Sequence, residues 1–284
     1  MGKTLLSKKQ KLSKARISVV MPVYNSVKYV DKAVKSILSQ SFEDFEFIII
    51  DDCCTDGTSK LLQDFAKADG RIIYERNSKN MKIAYSRNRG IELSTSAYIA
   101  TMDADDIALP HRLGQQYEFL QNNPDVGVCM GNLNVIDENG AFKYTREYPV
   151  SDKDIRKAFF LFNPIPNPTV MCRKEIYETV DGYDEAFHPI DDLDFWIRVG
   201  VEYKFGNVGV AVIDYRVHHE GSSHAFPRDV ERLTFKLRFK ALKLGYRPSA
   251  KATILNIVQL GLLYIMPEKF KIPLFNMLRR KGLL

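Results

Sequence analysis

Cysteine is scarce in this sequence, and its spacing excludes a disulfide framework. The 284 residues include four cysteines, of which Cys53 and Cys54 are adjacent whereas Cys129 and Cys172 stand alone. No Cys-x-x-Cys pair occurs, and adjacent cysteines are too close for ordinary disulfide geometry. A chain of this length buries about three-quarters of its surface on folding, so it needs neither disulfides nor a structural metal. We therefore expect reduced thiols in a reducing compartment.

The patterns typical of a membrane-spanning segment and of a signal peptide are also not found in this sequence, so we expect neither. The longest apolar run extends from Ile254 to Met266, short of the ~20 residues that a membrane-spanning helix needs. Asn256 and Gln259 interrupt this run. Before Ile17 there is no apolar stretch of the roughly 7–15 residues that a signal peptide requires. The sequence thus predicts a cytoplasmic protein that contacts a bilayer, if at all, at its surface.

Acidic residues are scarce at both ends of the chain. The first acid is Asp31, whereas residues 1–16 carry the cations Lys3, Lys8, Lys9, Lys11, Lys14 and Arg16. Near the C-terminus only Glu268 faces the cations Lys269, Lys271, Arg279, Arg280 and Lys281. These ends account for most of the net charge of +6. Basic ends suit an anionic lipid surface or nucleic acid, and a merely solubilising tail is the alternative.

Apolar residues are interleaved with the C-terminal cations. They are Leu262, Leu263, Ile265, Phe270, Ile272, Leu274, Phe275, Met277 and Leu278. This pattern predicts an amphipathic helix on a membrane surface, with packing on the body of the protein as the alternative. Nucleic acid alone would not explain the apolar face, so we do not expect it as a partner.

Between these ends, short β-rich runs alternate with helical patterns. Four strands are predicted, at Ile17–Met21, Phe45–Ile50, Ile72–Tyr74 and Tyr98–Met102. Helical spacing separates them, first in Val30, Val34, Ile37 and Leu38, then in Leu61, Leu62, Phe65 and Ala66. The alternation predicts an α/β fold with a mostly parallel sheet and helices on both faces.

The regular alternation of strand and helix patterns ends after Met130. An Asn-Gly turn within Val135–Phe142 predicts a hairpin. Further predictions are a strand at Thr169–Cys172, a helix through Phe195, Trp196 and Val199, a strand at Val210–Tyr215, and helices from Pro227 to the end. We therefore divide the chain into a basic tail (1–16), an α/β domain (17–226, with halves 17–130 and 131–226) and a helical, basic amphipathic extension (227–284).

Two common phosphate-binding loops are missing, and acids stand at the strand ends instead. Neither Gly-x-x-x-x-Gly-Lys nor a Gly-x-Gly-x-x-Gly after the first strand occurs. Asp51-Asp52 follows the second strand and Asp103-Ala104-Asp105-Asp106 the fourth, at the edge where parallel sheets bind ligands. Three carboxylates within four residues repel one another, and Mg²⁺ or Mn²⁺ with substrate phosphates would relieve that repulsion. A turn screened by water is the alternative.

Five segments, taken in order, resemble glycosyltransferase family 2, whose members have the GT-A fold. They are Pro22-Val23-Tyr24-Asn25, Ile50–Thr58, Ser86–Ile91, Tyr98–Asp106 followed by Pro110-x-Arg112-Leu113, and Asp191–Trp196. The resemblance implies a Rossmann-like sheet in which residues 17–130 bind a nucleotide-sugar and residues 131–226 bind the acceptor. It further implies inverting transfer of a hexose or N-acetylhexosamine from a UDP-sugar to a hydroxyl of a cell-surface glycan, with Mn²⁺ or Mg²⁺.

The resemblance also assigns the donor site. Tyr24 would lie against uracil, and Asp52 would accept a hydrogen bond from the base, with Asp51 beside it. Arg87 would lie near the diphosphate, where a guanidinium suits a phosphate. Lys82 stands where the family commonly has glycine, and it would contact phosphate or narrow the sugar choice. The donor set also contains Pro22, Val23, Asp103 and Ala104. A core position for Tyr24 and a surface ion pair for Arg87 are the alternatives.

Metal ligands are implied in the same way. Asp103 and Asp105 match the family's Asp-x-Asp, and Asp106 is the alternative ligand. His218, in Tyr215-Arg216-Val217-His218, would bind the metal or the donor, unless it is a structural hydrogen-bonding residue.

Asp192 matches the catalytic base, which takes the proton of the acceptor hydroxyl, with Asp191 as the alternative. Both acids also suit the start of a helix. The acceptor is expected near Asn163–Asn167 and the loop before Asp191.

Two other classes of protein are weaker explanations of the sequence. A sugar nucleotidyltransferase would normally carry a glycine-rich basic loop after the first strand, and this chain has none. A non-catalytic basic module that binds membrane or nucleic acid would leave the acids after Met102 unexplained.

Overall fold

A nine-stranded mixed sheet organises the molecule. The computed structural model describes residues 15–218 and 227–265. The strands are β1 (Ile17–Val23), β2 (Phe45–Asp51), β3 (Ile72–Arg76), β4 (Tyr98–Thr101), β5 (Ile107–Ala108), β6 (Val126–Ile136), β7 (Phe142–Arg146), β8 (Met171–Arg173) and β9 (Lys204–Arg216). Their order is β3-β2-β1-β4-β8-β6-β9-β5, with β7 beside β6. Strands β3, β2, β1 and β4 are parallel, as are β6 and β9, whereas β5, β7 and β8 pair antiparallel.

Helices cover the sheet on both faces. They are α1 (Val30–Leu38), α2 (Thr58–Ala68), α3 (Ile83–Leu93), α4 (Arg112–Asn122), α5 (Asp152–Ala158), α6 (Glu175–Thr179), α7 (Asp191–Glu202), α8 (Pro227–Lys243) and α9 (Ala250–Ile265). The side chains of β1 alternate between two hydrophobic cores, because Val19 and Met21 pack in one and Val20 in the other. A strand covered on both faces is largely apolar, and in β1 Ser18 is the one polar residue. The predicted fold class is confirmed.

Several predicted boundaries shift in the structure. The hairpin after Val135 is confirmed, since β6 and β7 pair across a turn in which Gly140 has a φ of +94°. The strand predicted from Thr169 begins instead at Met171, because Pro168 cannot donate to a strand ladder and Asn167–Thr169 form a 3₁₀ turn. The strand predicted from Val210 begins at Lys204, and the polar and glycine residues at its start concealed it.

Most of the two terminal segments lies outside the residues that the structure describes. Residues 1–14 and 266–284, which carry most of the predicted basic tail and amphipathic segment, are outside the described residues. The part of the predicted helical extension that the structure describes, residues 227–265, contains α8 and α9, with a break between residues 244 and 249. Among the helices in the described ranges, none is long and apolar enough to cross a bilayer. The domain division stays a prediction, and its boundary at residue 130 falls inside β6.

Gly90 allows α3 to pack closely against the sheet. A Cβ at this position would lie 2.5 Å from Val20 Cγ1 and 3.3 Å from Ile50 Cγ1, in β1 and β2. Close packing at Gly90 fixes the distance between α3 and the strands β1 and β2. Arg87 lies one turn earlier on the same helix.

Replacing Gly90 with Ala should lower the free energy of unfolding by about 1–3 kcal/mol, because overpacking outweighs the better helix propensity of alanine. Urea denaturation measures the change. Gly70→Ala is the matched control, since a Cβ there meets nothing within 4 Å. Equal stability of the Gly90 variant and the wild type would mean that α3 can shift without cost.

Candidate active site

A cavity of about 450 Å³ opens at the carboxyl ends of β1, β2 and β4. Many of the predicted donor and metal residues line it: Pro22, Val23, Tyr24, Asp52, Lys82, Asp103, Ala104, Asp105 and His218. Five predicted residues are not part of the lining: Asp51, Arg87, Asp106, Asp191 and Asp192. The cavity thus lies at the carboxyl ends of the parallel strands, where the sequence predicted a ligand site. The acids differ in their contacts.

Asp52 connects the end of β2 to the loop before α3. Its buried carboxylate accepts hydrogen bonds from the backbone nitrogens of Met81 (2.7 Å) and Lys82 (2.9 Å) and from Asn77 Nδ2 (2.7 Å). A carboxylate has about four lone-pair positions, so one remains for a ligand N–H. This geometry fits the predicted hydrogen bond to a base.

Asp51 has a different environment from its neighbour. It is fully buried, and its carboxylate accepts hydrogen bonds from Cys54 N (2.8 Å), Ser59 Oγ (2.5 Å) and Tyr74 Oη (2.6 Å). Burial alone would raise the pKa of Asp51, but these hydrogen bonds hold it below its ordinary value. Asp51 thus stabilises the turn after β2, and its carboxylate does not face the cavity where the sequence placed it.

Lys82 has an unusual backbone conformation. Its φ is +73° and its ψ is 168°, in a region that is almost exclusive to glycine and costs a side chain about 1–3 kcal/mol. The hydrogen bond from Lys82 N to Asp52 holds the backbone there, and the exposed side chain lines the cavity.

The acids of the turn after β4 diverge. Asp103 Oδ1 lies 3.5 Å from Arg87 Nη2, and Asp105 Oδ2 lies 2.8 Å from His218 Nε2. Asp106 is buried, and its Oδ1 accepts a hydrogen bond from the backbone nitrogen of Arg216 (2.9 Å). In the part of the chain that the structure describes, no three His, Cys, Asp or Glu side chains converge as metal ligands. Asp103 and Asp105 reach the cavity, whereas Asp106 does not.

The carboxylate oxygens of this turn are suitable ligands for a divalent cation. Burial, with the charge of Asp105 adding to it, raises the pKa of Asp103 despite the nearby Arg87. The ionised form of Asp103 is therefore disfavoured mainly by desolvation and secondarily by the neighbouring carboxylate, and a bound cation would offset both. Mg²⁺ and Mn²⁺ typically take one or two carboxylates and complete their shells with water and substrate phosphates. Asp103 and Asp105 fit such a site, with His218 already placed against Asp105.

Arg216 is a site residue that the sequence pattern did not single out. Its Nε donates to the backbone oxygen of Asp105 (2.9 Å), and its guanidinium lies over the Tyr29 ring at 4.8 Å. The Tyr29 ring in turn lies 5.0 Å from that of His218. The end of β9 therefore holds the acid turn in place. The Tyr-Arg-x-His segment contained this signal, but sequence alone does not show which of its residues contacts the acids.

Arg87 joins the acid turn to the start of α7. Its guanidinium is buried, with Nη1 2.9 Å from Asp191 Oδ2 and Nη2 3.5 Å from Asp103 Oδ1. It also lies over the Tyr183 ring at 5.4 Å. Arg87 is therefore not in a surface ion pair, and the carboxylate of Asp191 is engaged by it.

The carboxylate of Asp192 is held by hydrogen bonds rather than by the Arg87 guanidinium. Its half-buried carboxylate accepts hydrogen bonds from Asn163 Nδ2 (2.9 Å) and from its neighbour Leu193 N (2.8 Å). Burial, with the charge of Asp191 adding to it, raises the pKa of Asp192 to about 6. A carboxylate that titrates near neutrality is suited to accept a proton. Of the two acids, Asp192 has the raised pKa, and Asp191 pairs with Arg87; the assignment of the base stays a prediction.

The mixed sheet, with a cavity at its strand ends, is the GT-A fold of the solved glycosyltransferase structures that this chain resembles. More specifically, the chain belongs to glycosyltransferase family 2, because the family model "Glycosyl transferase family 2" matches residues 18–180.

Curated relatives cover most of the chain. The uncharacterized glycosyltransferase MJ1057 of Methanocaldococcus jannaschii is 34% identical over 210 residues, which are 72% of this chain and 72% of the relative. The O-antigen biosynthesis glycosyltransferase WbnJ of Escherichia coli is 31% identical over 229 residues, which are 78% of this chain and 87% of WbnJ.

Solved structures share the fold at low sequence identity. S. aureus TarS 1–349 in complex with UDP-GlcNAc superposes with a TM-score of 0.67 at 18% identity, over 82% of this chain and 68% of that one. The mannosyltransferase PcManGT of Pyrobaculum calidifontis, in complex with GDP-Man and Mn²⁺, gives a TM-score of 0.63 at 17% identity, over 89% and 71%. At this identity the likeness shows the fold alone.

Replacing Arg87 with Met should lower the free energy of unfolding by about 3–5 kcal/mol, because Asp191 is left as an unpaired buried charge. Urea denaturation of the variant and the wild type measures the loss.

The matched control for Arg87→Met is Lys60→Met, which removes the exposed pair with Asp64 and should cost less than about 0.5 kcal/mol. Equal losses for the two variants would contradict a structural role for the buried pair.

Proposed function

We propose that the protein is a metal-dependent inverting glycosyltransferase that moves a sugar from a UDP-sugar to a hydroxyl of a cell-surface glycan. One observation carries this proposal: Arg87 pairs with both Asp103 and Asp191. These two contacts bring the start of α7, with the base candidate Asp192, next to the cavity that would hold the donor. Transfer requires that proximity, because the acceptor oxygen must meet the anomeric carbon in line with the leaving group.

The nucleotide-sugar donor would bind in the cavity at the ends of β1, β2 and β4. Tyr24 is half exposed at the cavity, so its ring is available to stack on a uracil. The remaining acceptor position of Asp52 suits the N–H of that base. The UDP-GlcNAc complex of TarS supports a uridine donor, whereas the GDP-Man complex of PcManGT makes guanosine the competing choice.

The leaving diphosphate would lie beside Asp103 and Asp105. These two carboxylates would hold Mn²⁺ or Mg²⁺, with His218 as a further ligand or as the residue that orients Asp105. When bound, such an ion neutralises charge that develops on the diphosphate. Lys82 and Arg216 contribute positive charge at the same cavity. The Mn²⁺ in the PcManGT complex supports this assignment.

Asp192 would act as the base in a single displacement. Its free lone pair takes the proton of the acceptor hydroxyl while that oxygen bonds to the anomeric carbon and the bond from this carbon to the diphosphate breaks. Attack opposite the leaving group inverts the configuration. Asn163 and Leu193 N each donate to one oxygen of this carboxylate, which orients it and leaves lone pairs for the acceptor hydroxyl.

The product would belong to a surface polysaccharide, and the enzyme would work at the inner face of a membrane. The name of WbnJ supports an acceptor of the O-antigen kind. Exposed apolar side chains on α9, at Ile254, Ile257 and Val258, support contact with a bilayer. Between Arg232 and Leu284 the sequence has 12 Lys and Arg residues and a single acid, Glu268, which suits anionic lipids.

Binding of a UDP-sugar to the protein should require a divalent ion. In thermal unfolding with Mn²⁺, a bound UDP-sugar at 100 times its dissociation constant should stabilise the protein by about 2.7 kcal/mol, and EDTA should abolish the effect. Asp105→Asn should reduce the Mn²⁺-dependent stabilisation, because one carboxylate ligand is lost, whereas the control Asp125→Asn, at an exposed surface pair, should behave as wild type. No response to any UDP-sugar would contradict the proposal, and a response only to GDP-sugars would change the nucleotide.

Asp192→Asn should lower kcat by about 10²–10⁴ while UDP binding is retained, because the amide cannot take the proton. In the wild type, kcat should rise with pH through about 6 as Asp192 ionises. Because burial raises this pKa, ionisation of Asp192 opposes folding above it, so the variant should be at least as stable as wild type at neutral pH. UDP release in coupled assays and urea denaturation measure these effects.

The control for Asp192→Asn is Asp191→Asn, which should lose stability because it breaks the pair with Arg87. Retained turnover in Asp192→Asn would place the base elsewhere.

A further inference from the structure

Strand β7 is exposed along its whole length and carries aromatic residues that the proposed reaction does not use. All five of its residues are exposed, with Phe142 at 61% and Tyr144 at 49%. Further along the chain Phe162 is 39% exposed. Exposed aromatic side chains on a small surface mark binding sites more often than scattered apolar residues do.

A bulge sorts the aromatic residues of β7 onto two faces. Tyr144 pairs with Val135 and Phe142 pairs with Ile136, because the register shifts between these positions. Paired residues of antiparallel strands share a face, and neighbours along a strand alternate. Phe142 therefore lies on the opposite face from Tyr144, although the two are only two residues apart. Tyr144 shares its face with Arg146, which pairs with Leu133.

A continuous set of contacts leads from Tyr144 to the base candidate. Arg146 Nη2 donates to Tyr144 Oη (3.4 Å), and Arg146 also interacts with Tyr148. The Tyr148 ring lies 6.4 Å from that of Phe162. The next residue, Asn163, is hydrogen-bonded to Asp192. We call the residues Tyr144, Arg146, Tyr148 and Phe162 the β7 stripe.

Along these contacts, Arg146 lies between the two exposed rings of the β7 stripe. Its exposed guanidinium faces Tyr144 and Tyr148, and no carboxylate within residues 15–218 and 227–265 forms an ion pair with it. A guanidinium has several N–H donors, so those not directed at the two tyrosines remain available to a ligand. Flat rings that offer an apolar face, with a hydrogen-bond donor between them, match the alternating C–H faces and hydroxyls of a sugar chain.

We propose that the β7 stripe binds the oligosaccharide chain of the acceptor. This inference rests on the proposed function, and it specifies the acceptor as a chain of several sugars rather than a single one. One pyranose would stack on Phe162 beside Asp192, and sugars further from the reacting hydroxyl would reach Arg146 and Tyr144. Continuity with Asp192 favours a glycan over a second copy of the protein, which would block access to the base.

The test measures binding of the full-length protein to an array of defined oligosaccharides, from disaccharides to hexasaccharides. Tyr144→Ala and Phe162→Ala should each weaken binding to the preferred glycan by about three- to tenfold, the value of one aromatic stacking contact. Phe142→Ala is the matched control, since it removes a more exposed ring from the opposite face of the same strand, and it should leave binding unchanged. Tyr144→Phe keeps the ring and should retain binding.

Three outcomes would overturn the inference. They are binding of the wild type to no oligosaccharide, equal effects of Phe142→Ala and Tyr144→Ala, and a change in oligomeric state, by light scattering, as the only effect. Thermal stabilisation by UDP-sugar and Mn²⁺ is measured on the same variants and should be unchanged. If the wild type lacks that stabilisation, the proposed function fails; if it is present while the array result fails, only the acceptor inference fails.

Discussion

A single buried guanidinium connects two parts of the chain that are far apart in sequence. Arg87 is 104 residues from Asp191, yet the two form a buried ion pair, and the same side chain reaches Asp103. Two carboxylates this close would repel each other without the cation between them. The relative position of the β4 turn and the start of α7 therefore depends on one side chain, and α3 can present it there because Gly90 lets the helix lie close to β1 and β2.

The opposite side of the acid turn depends on β9. Arg216 contributes its backbone nitrogen and its guanidinium to this turn, and His218 contacts Asp105. The turn is thus held between α3 and β9, and each of its three carboxylates has a different neighbour. Asp103 and Asp105 therefore line the cavity, whereas Asp106 is buried away from it. The three acids that are close together in sequence do not form one cluster in the structure.

Much of the fold was predictable, because the spacing of apolar residues records which side of an element is buried. The parallel half of the sheet, the hairpin after Val135 and the gathering of acids at one edge all follow from local patterns and from the strand-end rule. The roles of Asp51, Arg216 and Asn163 did not follow. Their partners come from remote segments, and the direction of a side chain at a strand end depends on packing that no local pattern encodes. The late start of β8 had a local signal in Pro168, and it shows how a 3₁₀ turn shortens a strand.

The hydrogen bonds between Asp52 and the loop at Met81 and Lys82 have a consequence for recognition. The loop reaches its glycine-like conformation through contacts within the protein, so a ligand that binds in the cavity would meet a surface that is already ordered. Little conformational entropy then remains to be lost on association, and more of the contact energy appears as affinity. The strain at Lys82 is in this sense a form of preorganisation, which folding supplies before any ligand arrives.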